Sequence, residues 1–230
     1  MNRTKIEWVR GPNGEPGYTW NPLSGCLRAC QYCYAARIYK RFKRSFEPTF
    51  HEDRMGQPSR VKKPARIFVC SVADLFAPWV PDDWVNRVLT AASLCEQHEF
   101  LFLTKSAQRY DDFLLPANAW AGVTLTSQAD ADERIPYLLE TPARVRFLSC
   151  EPLLGPIDLH EHLLNWYVCD PVIGRIGWII IGGLTNGGTF YPPQSEWVER
   201  IMEQADFFRI PVFVKSNVGV HSERQEFPHG

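Results

Sequence analysis

The sequence predicts one α/β domain with a parallel sheet, laid out either as a full or partial (β/α) barrel or as an open doubly wound sheet. Three observations predict it. Six short runs rich in β-branched and aromatic residues are apolar almost throughout, as strands buried on both faces are. Amphipathic segments of helical period lie between several of them. Strand starts fall roughly 20 to 35 residues apart, the interval of βα units joined by right-handed crossovers.

In chain order the runs are Arg66–Ser71, Glu99–Thr104, Trp120–Thr126, Val145–Ser149, Gly177–Ile181 and Pro211–Lys215. Asp82–Gln97 sets Trp84, Val85, Val88, Leu89, Ala92 and Cys95 on one helical stripe, and Pro81, Asp82 and Asp83 suit a helix start. Asp130–Glu140 and Ser195–Phe208 read as helices in the same way. Ser45–Pro64 is polar and punctuated by proline, a surface excursion, and the stretch around His160 and His162 reads as loop. The first strand carries no Gly-x-Gly-x-x-Gly fingerprint and the chain no Walker loop, which lowers the nucleotide-sheet reading.

The 230 residues are 45% hydrophobic and 22% charged with a net charge of −1, which excludes a disordered chain, a collagen-like repeat and a coiled coil. The longest apolar stretch, Ile176–Leu184, is broken by glycines and far too short to cross a bilayer, so no membrane partner is expected. The first ten residues lack the apolar core of a signal peptide, and a cytoplasmic protein is expected. Seven cysteines without an export signal point to metal binding or buried thiols rather than a disulfide framework.

Three of the seven stand together as Cys26-Leu-Arg-Ala-Cys30-Gln-Tyr-Cys33, on a loop after Tyr18-Thr-Trp-Asn-Pro22. Soft thiolates at this spacing suit zinc or an iron–sulfur cluster. A structural zinc site closes with four protein ligands, usually from two separate pairs, and no second pair is present. Cys70, Cys95 and Cys150 read as buried core thiols, and Cys169 has no assigned role. Most strands also end in polar residues: Ser71 and Asp74, Thr104 and Lys105, Thr124 and Thr126, Ser149 and Glu151, Gly182 and Gly183, Lys215 and Ser216. Parallel α/β folds bind ligands where the carboxyl ends of their strands open.

The Cys-x₃-Cys-x₂-Cys spacing, with Tyr32 just before the third cysteine, resembles the radical S-adenosylmethionine superfamily. A closer resemblance covers almost the whole chain. Thr4-Lys-Ile-Glu-Trp8, Thr19-Trp-Asn-Pro22 with Gly25-Cys26, Cys33-Tyr-Ala35, Arg66-Ile-Phe-Val69 with Asp74-Leu-Phe76, Leu103-Thr-Lys105, Ala131-Asp-Glu-Arg-Ile135 and Glu151-Pro-Leu-Leu-Gly155 are similar to a phage and bacterial three-cysteine family regarded as radical S-adenosylmethionine-like. Two departures stand out: Thr126-Ser127 where an acidic residue is expected, and Gly182-Gly183-Leu184-Thr185 where the family commonly reads Gly-Gly-Glu-Ser.

The resemblance implies a partial (β/α)6 barrel of the TIM type. It implies a [4Fe–4S] cluster on Cys26, Cys30 and Cys33, with S-adenosyl-L-methionine on the unique iron and an electron donor protein as partner. The expected product of cofactor cleavage is a 5′-deoxyadenosyl radical that abstracts a substrate hydrogen. Tyr32 and Tyr34 are expected against the adenine or over the cluster, and Ser71 and Asp74 at the methionine ammonium. Lys105 is expected at the methionine carboxylate, and Thr124, Glu151, Gly182 and Gly183 at the ribose and adenine. Lys215 would face substrate, and Lys105, Glu151 and Lys215 are the candidate catalytic side chains.

Charge is segregated. Between Arg37 and Arg66 ten Lys and Arg meet three acids, a local +7, so the rest of the chain carries −8. Bases interleave with aromatics in Arg37-Ile-Tyr-Lys-Arg-Phe-Lys-Arg44, and Arg37, Lys40, Arg41, Lys43, Arg44, Lys62 and Lys63 are candidates for a DNA, RNA or nucleotide substrate. The same pattern also suits a solvated helix face. The expected function is a radical enzyme acting on nucleic acid or a nucleotide; the alternative is a non-catalytic nucleic-acid-binding protein holding zinc or an iron–sulfur cluster.

Overall fold

The computed structural model describes residues 1–11, 14–169 and 174–228, with the backbone alone for 165–169, so the side chain of Cys169 lies outside the described residues. β1 (Asn2–Arg3) runs antiparallel to β2 (Tyr18–Trp20). Next come β3 (Leu23–Ser24), the cysteine loop, α1 (Tyr34–Arg41) and β4 (Thr49–Phe50), which pairs back onto β3. The repeating part is then β5 (Arg66–Val69), α2 (Asp82–Ser93), β6 (Glu99–Thr104), β7 (Ala119–Thr124), α3 (Gln128–Glu140), β8 (Val145–Cys150), α4 (His160–Cys169) and β9 (Ile176–Ile181). A hairpin of β10 (Leu184–Asn186) and β11 (Thr189–Tyr191) precedes α5 (Ser195–Phe207) and β12 (Val212–Val214).

The main sheet has the order β1-β2-β5-β6-β7-β8-β9-β12, and only β1 is antiparallel to its neighbour. The parallel strands succeed one another in chain order with no reversal. That is single winding, as in a partial TIM-like barrel, and not the switch of a doubly wound sheet. All six apolar runs are strands here. The short β2 adds a seventh parallel strand ahead of the cysteine loop.

Alternation along the strands divides the core. Ile67, Val69, Phe100 and Phe102 join Val85, Val88, Leu89 and Ala92 of α2 on the helix side. Phe68, Leu101, Trp120, Phe147, Trp178 and Phe213 face inward and pack around Trp8 from the N-terminal segment. Trp8 lies 4.8 Å from Phe68 and 6.3 Å from Trp178 between ring centroids. The far end is plugged by Phe227, 5.5 Å from Trp178 and 5.3 Å from Phe213. There Arg66 is buried, paired with Glu99 at 2.8 Å and stacked 4.6 Å over Trp120. This leaves the carboxyl ends of the strands as the open end.

Helix ends differ from the periodicity for local reasons. α2 stops at Ser93 instead of reaching Gln97, because the Asn118 amide donates to the carbonyls of Ala92, Cys95 and His98 and ties that end into a turn. α3 begins two residues early, with the Ser127 hydroxyl accepting from Asp130 N–H as an N-cap. The stretch around His160 is the helix α4 and not a loop; Asp158 accepts from His160 N–H at 3.0 Å and starts it. Ser45–Pro64 is largely exposed, yet it is anchored by β4 and by Phe50 packing 5.4 Å from Trp84. Among the described residues no helix is long and apolar enough to cross a membrane.

Candidate functional site

The cysteine loop leaves β3 at Gly25, whose φ is +88°; a Cβ there would stand 2.2 Å from the Glu47 carbonyl oxygen. Only glycine permits this approach. Ala29 also takes a positive φ, 54°, which bends the loop back so that Cys26, Cys30 and Cys33 all line one cavity. Cys33 is the N-cap of α1, and its Sγ accepts from Ala36 N–H at 3.4 Å. Burial raises the Cys26 thiol pKa; the Arg28 backbone N–H opposes this, and the negative charges of Asp74, Cys30 and Cys33 add to it. Among the described residues no three His, Cys, Asp or Glu side chains converge as ligands of a single ion. A sulfur that accepts an N–H bond, as Cys33 Sγ does, would suit an iron–sulfur cluster.

The cavity has a volume of about 760 Å³. Besides the thiols, Tyr32, Tyr34, Ser71, Asp74, Lys105, Thr124, Glu151, Gly183 and Lys215 line it, so elements spread over the whole chain meet there. Gly182 stands just behind. A Cβ on it would lie 2.8 Å from Glu151 Cγ and 3.1 Å from Lys215 Cδ, so the missing side chain makes room for the Glu151–Lys215 ion pair.

Asp74 is occupied by the protein itself. Oδ1 accepts from Thr104 Oγ1 at 2.7 Å and Phe76 N–H at 3.2 Å; Oδ2 accepts from Lys105 N–H at 3.0 Å and faces Arg28 at 3.7 Å. Arg28 in turn donates to Ser106 Oγ at 2.5 Å. The carboxylate expected at a methionine ammonium therefore clamps the cysteine loop to the end of β6. Ser71 donates its hydroxyl to Asn21 Oδ1 at 3.1 Å, and its carbonyl accepts from Tyr34 Oη.

Lys105 Nζ donates to Tyr32 Oη at 2.7 Å. Burial lowers the lysine pKa, against the charge of Cys30, and burial with the same charge pushes the tyrosine up to about 12. At the departure at 126, Asp130 Oδ2 accepts from Thr126 N–H at 2.7 Å and Thr126 Oγ1 at 2.6 Å, while Oδ1 pairs with Arg134 at 2.5 Å; neither Thr126 nor Asp130 lines the cavity. Leu184 and Thr185 reach the cavity wall where Glu-Ser was expected. Gly183 exchanges two hydrogen bonds with the Asn217 side chain, of 3.0 and 2.8 Å.

The seven basic candidates lie outside the cavity lining. Arg37 donates to Asn186 Oδ1 and, at 2.8 Å, to the Thr185 carbonyl, so it ties α1 to the hairpin. Lys62 donates to the Ser59 carbonyl at 3.2 Å. Lys40, Arg41, Lys43, Arg44 and Lys63 are exposed, and none forms an ion pair among the described residues. The sequence assigns no role to Arg28, Asn217 or Glu7, and marks Thr104 only as a polar strand end. Of the first three, Arg28 has a signal in its place between the first two cysteines.

A family model described as "Protein of unknown function (DUF5131)" matches residues 3–227. The chain belongs to this family. No curated protein matches it. Among solved structures, a cysteine-to-serine variant of spore photoproduct lyase aligns with a TM-score of 0.60 at 10% identity, over 93% of this chain and 78% of the other. A double variant of the same lyase with bound AdoMet and dinucleoside spore photoproduct aligns with a TM-score of 0.59 at 9% identity, over 92% and 80%. At this identity the likeness is one of fold, and it agrees with the singly wound sheet.

Proposed function

We propose that this member of the family is a radical S-adenosylmethionine enzyme acting on nucleic acid. The observation that carries it is the meeting of Cys26, Cys30 and Cys33 with Lys105, Glu151 and Lys215 around one cavity at the carboxyl ends of parallel strands. The lyase fold and the AdoMet and dinucleoside bound in one of its structures support the reading. The three cysteines would hold a [4Fe–4S] cluster, and the polar wall opposite them S-adenosyl-L-methionine. When bound, the pair supplies reductive cleavage of the sulfonium to a 5′-deoxyadenosyl radical.

The chain's own residues bind, orient and exclude water. Asp74 and Arg28 fix the cysteine loop against β6. Lys105, held by Tyr32, presents a cation to a carboxylate. Glu151 and Lys215 offer one acceptor and one donor for hydroxyl groups or a base edge. Gly183 lets the backbone come close to a flat ligand. Trp8 and Phe68, both lining the cavity, keep its floor apolar and dry. Thr124 and Tyr34 complete the lining. An outside electron donor is required.

Anaerobic reconstitution tests the reading. About four irons per chain, and 5′-deoxyadenosine formed from S-adenosylmethionine under a chemical reductant, are expected. Cys30→Ser should abolish both. Zinc in tetrahedral coordination with no iron uptake would overturn the proposal and favour a binding protein.

A further inference from the structure

We propose that the β10–β11 hairpin is a stacking wedge for single-stranded nucleic acid, with Phe190 and Tyr191 as base platforms and α1 as the phosphate track. Chemistry on the bound strand rests on the radical-enzyme reading; the binding itself does not. The ribbon has just three residues per strand and no buried face, with Phe190 61% and Tyr191 50% exposed. Cross-strand partners share a face, so Phe190 stands with Thr185 on one side and Tyr191 with Leu184 on the other. One aromatic on each face of a thin ribbon is the shape that slides between two bases.

A two-stranded ribbon is marginal by itself, and here it is tied down along β10, from Gly183 before it to Asn186 beside the turn. Arg37 grips Asn186 and the Thr185 carbonyl from α1, and Asn217 Nδ2 donates to the Gly183 carbonyl at 2.8 Å and Thr185 Oγ1 at 3.2 Å. The exposed aromatics of β11 are therefore carried by an anchored β10, whose Leu184 and Thr185 line the cavity. Residues 184–191 carry no charge. Through Arg37 the adjoining surface is α1 and the turn after it, which contain Lys40, Arg41, Lys43 and Arg44 and no acid. An aromatic ribbon beside an uncompensated cationic helix is complementary to a polyanion with flat bases. A neutral apolar peptide would leave the four cations unused.

The test uses the full chain with a fluorescein-labelled 12-nucleotide single strand, the matching duplex, and a single strand carrying 2-aminopurine. Wild type should bind the single strand more tightly than the duplex, lose affinity steeply with salt, and quench the 2-aminopurine. Phe190→Ala/Tyr191→Ala should weaken single-strand binding by about tenfold or more. Phe190→Trp should preserve it and Phe190→Leu should not. Lys40→Glu/Arg41→Glu should weaken binding and flatten the salt dependence. Absence of binding by wild type, affinity unmoved by the aromatic pair, or equal binding by Phe190→Leu would overturn the wedge. Iron content and cofactor cleavage are measured on the same wild-type preparation. If both fail while the hairpin still governs binding, the enzyme reading alone falls; if both succeed while the hairpin is inert, the wedge alone falls.

Discussion

Glu7 and Ser216 tie the two ends of the barrel together. Ser216 N–H donates to Glu7 Oε2 and Ser216 Oγ–H to Oε1, each at 2.9 Å, across 209 residues of sequence. β1 and β12 occupy opposite edges of the sheet, so the Glu7 carboxylate makes this closure where a backbone ladder does not. The tie also fixes Trp8, the next residue, as the inward plug. Glu7→Ala should cost about 1–2 kcal/mol, as two exposed-side bonds to a carboxylate do. Urea unfolding checks it, and an unchanged midpoint would count against the closure.

Asp74 reaches three hydrogen-bond donors and one guanidinium from a buried position. Asp74→Asn brings two N–H donors to a site that offers only donors. It should cost about 2–3 kcal/mol and free Arg28 with the loop it steadies. Reconstituted iron per chain should fall in parallel. A variant that unfolds early yet loads a full cluster would show that the clamp serves the fold alone.

How much of this is legible in the sequence depends on the range of the signal. The six apolar runs announce themselves because burial on both faces demands unbroken apolar residues, and Cys26, Cys30 and Cys33 because they are close in sequence. Tyr18–Trp20 is broken by Thr19 and followed by Asn21, so it makes no such run, and α4 shows little apolar face beyond Leu163 among its described side chains. Asp74 stands out by its strand-end position, but whether its oxygens are free or filled depends on Thr104 and Arg28, 30 and 46 residues away. The charge excess is right as a sum and only partly so as a surface. Arg66 is buried under Trp120 and Arg37 is spent on the hairpin.

Cys70 and Cys150 give a pH signature. Burial pushes both thiols up to about 12 from an ordinary 9.0. Between those values the unfolded chain ionises and the folded one does not, so unfolding releases protons and stability falls as pH rises. Lys105 works with the opposite sign below its ordinary 10.5, since burial lowers its pKa and folding is favoured as it deprotonates. Comparing variants separates the two. Cys150→Ala should be less stable than wild type at about pH 8, where the lost packing dominates, and the gap should narrow at about pH 10.5. A gap that stays constant in urea midpoints would mean that Cys150 ionises freely in the folded chain.

Two glycines should fail in different ways. At Gly25 an added Cβ meets the Glu47 carbonyl oxygen at 2.2 Å with φ at +88°, and neither the backbone clash nor the dihedral can relax cheaply. Gly25→Ala should therefore destabilise the chain by about 1–3 kcal/mol and lower iron uptake, because the loop that carries Cys26 starts there. At Gly182 the obstacles are side-chain atoms, Glu151 Cγ at 2.8 Å and Lys215 Cδ at 3.1 Å, which can swing aside. Gly182→Ala should keep the fold and the iron but part Glu151 from Lys215, and equilibrium dialysis should show weaker S-adenosylmethionine binding to the reconstituted protein. Equal loss of iron in both variants would mean that the Glu151–Lys215 pair supports the cysteine loop rather than the ligand.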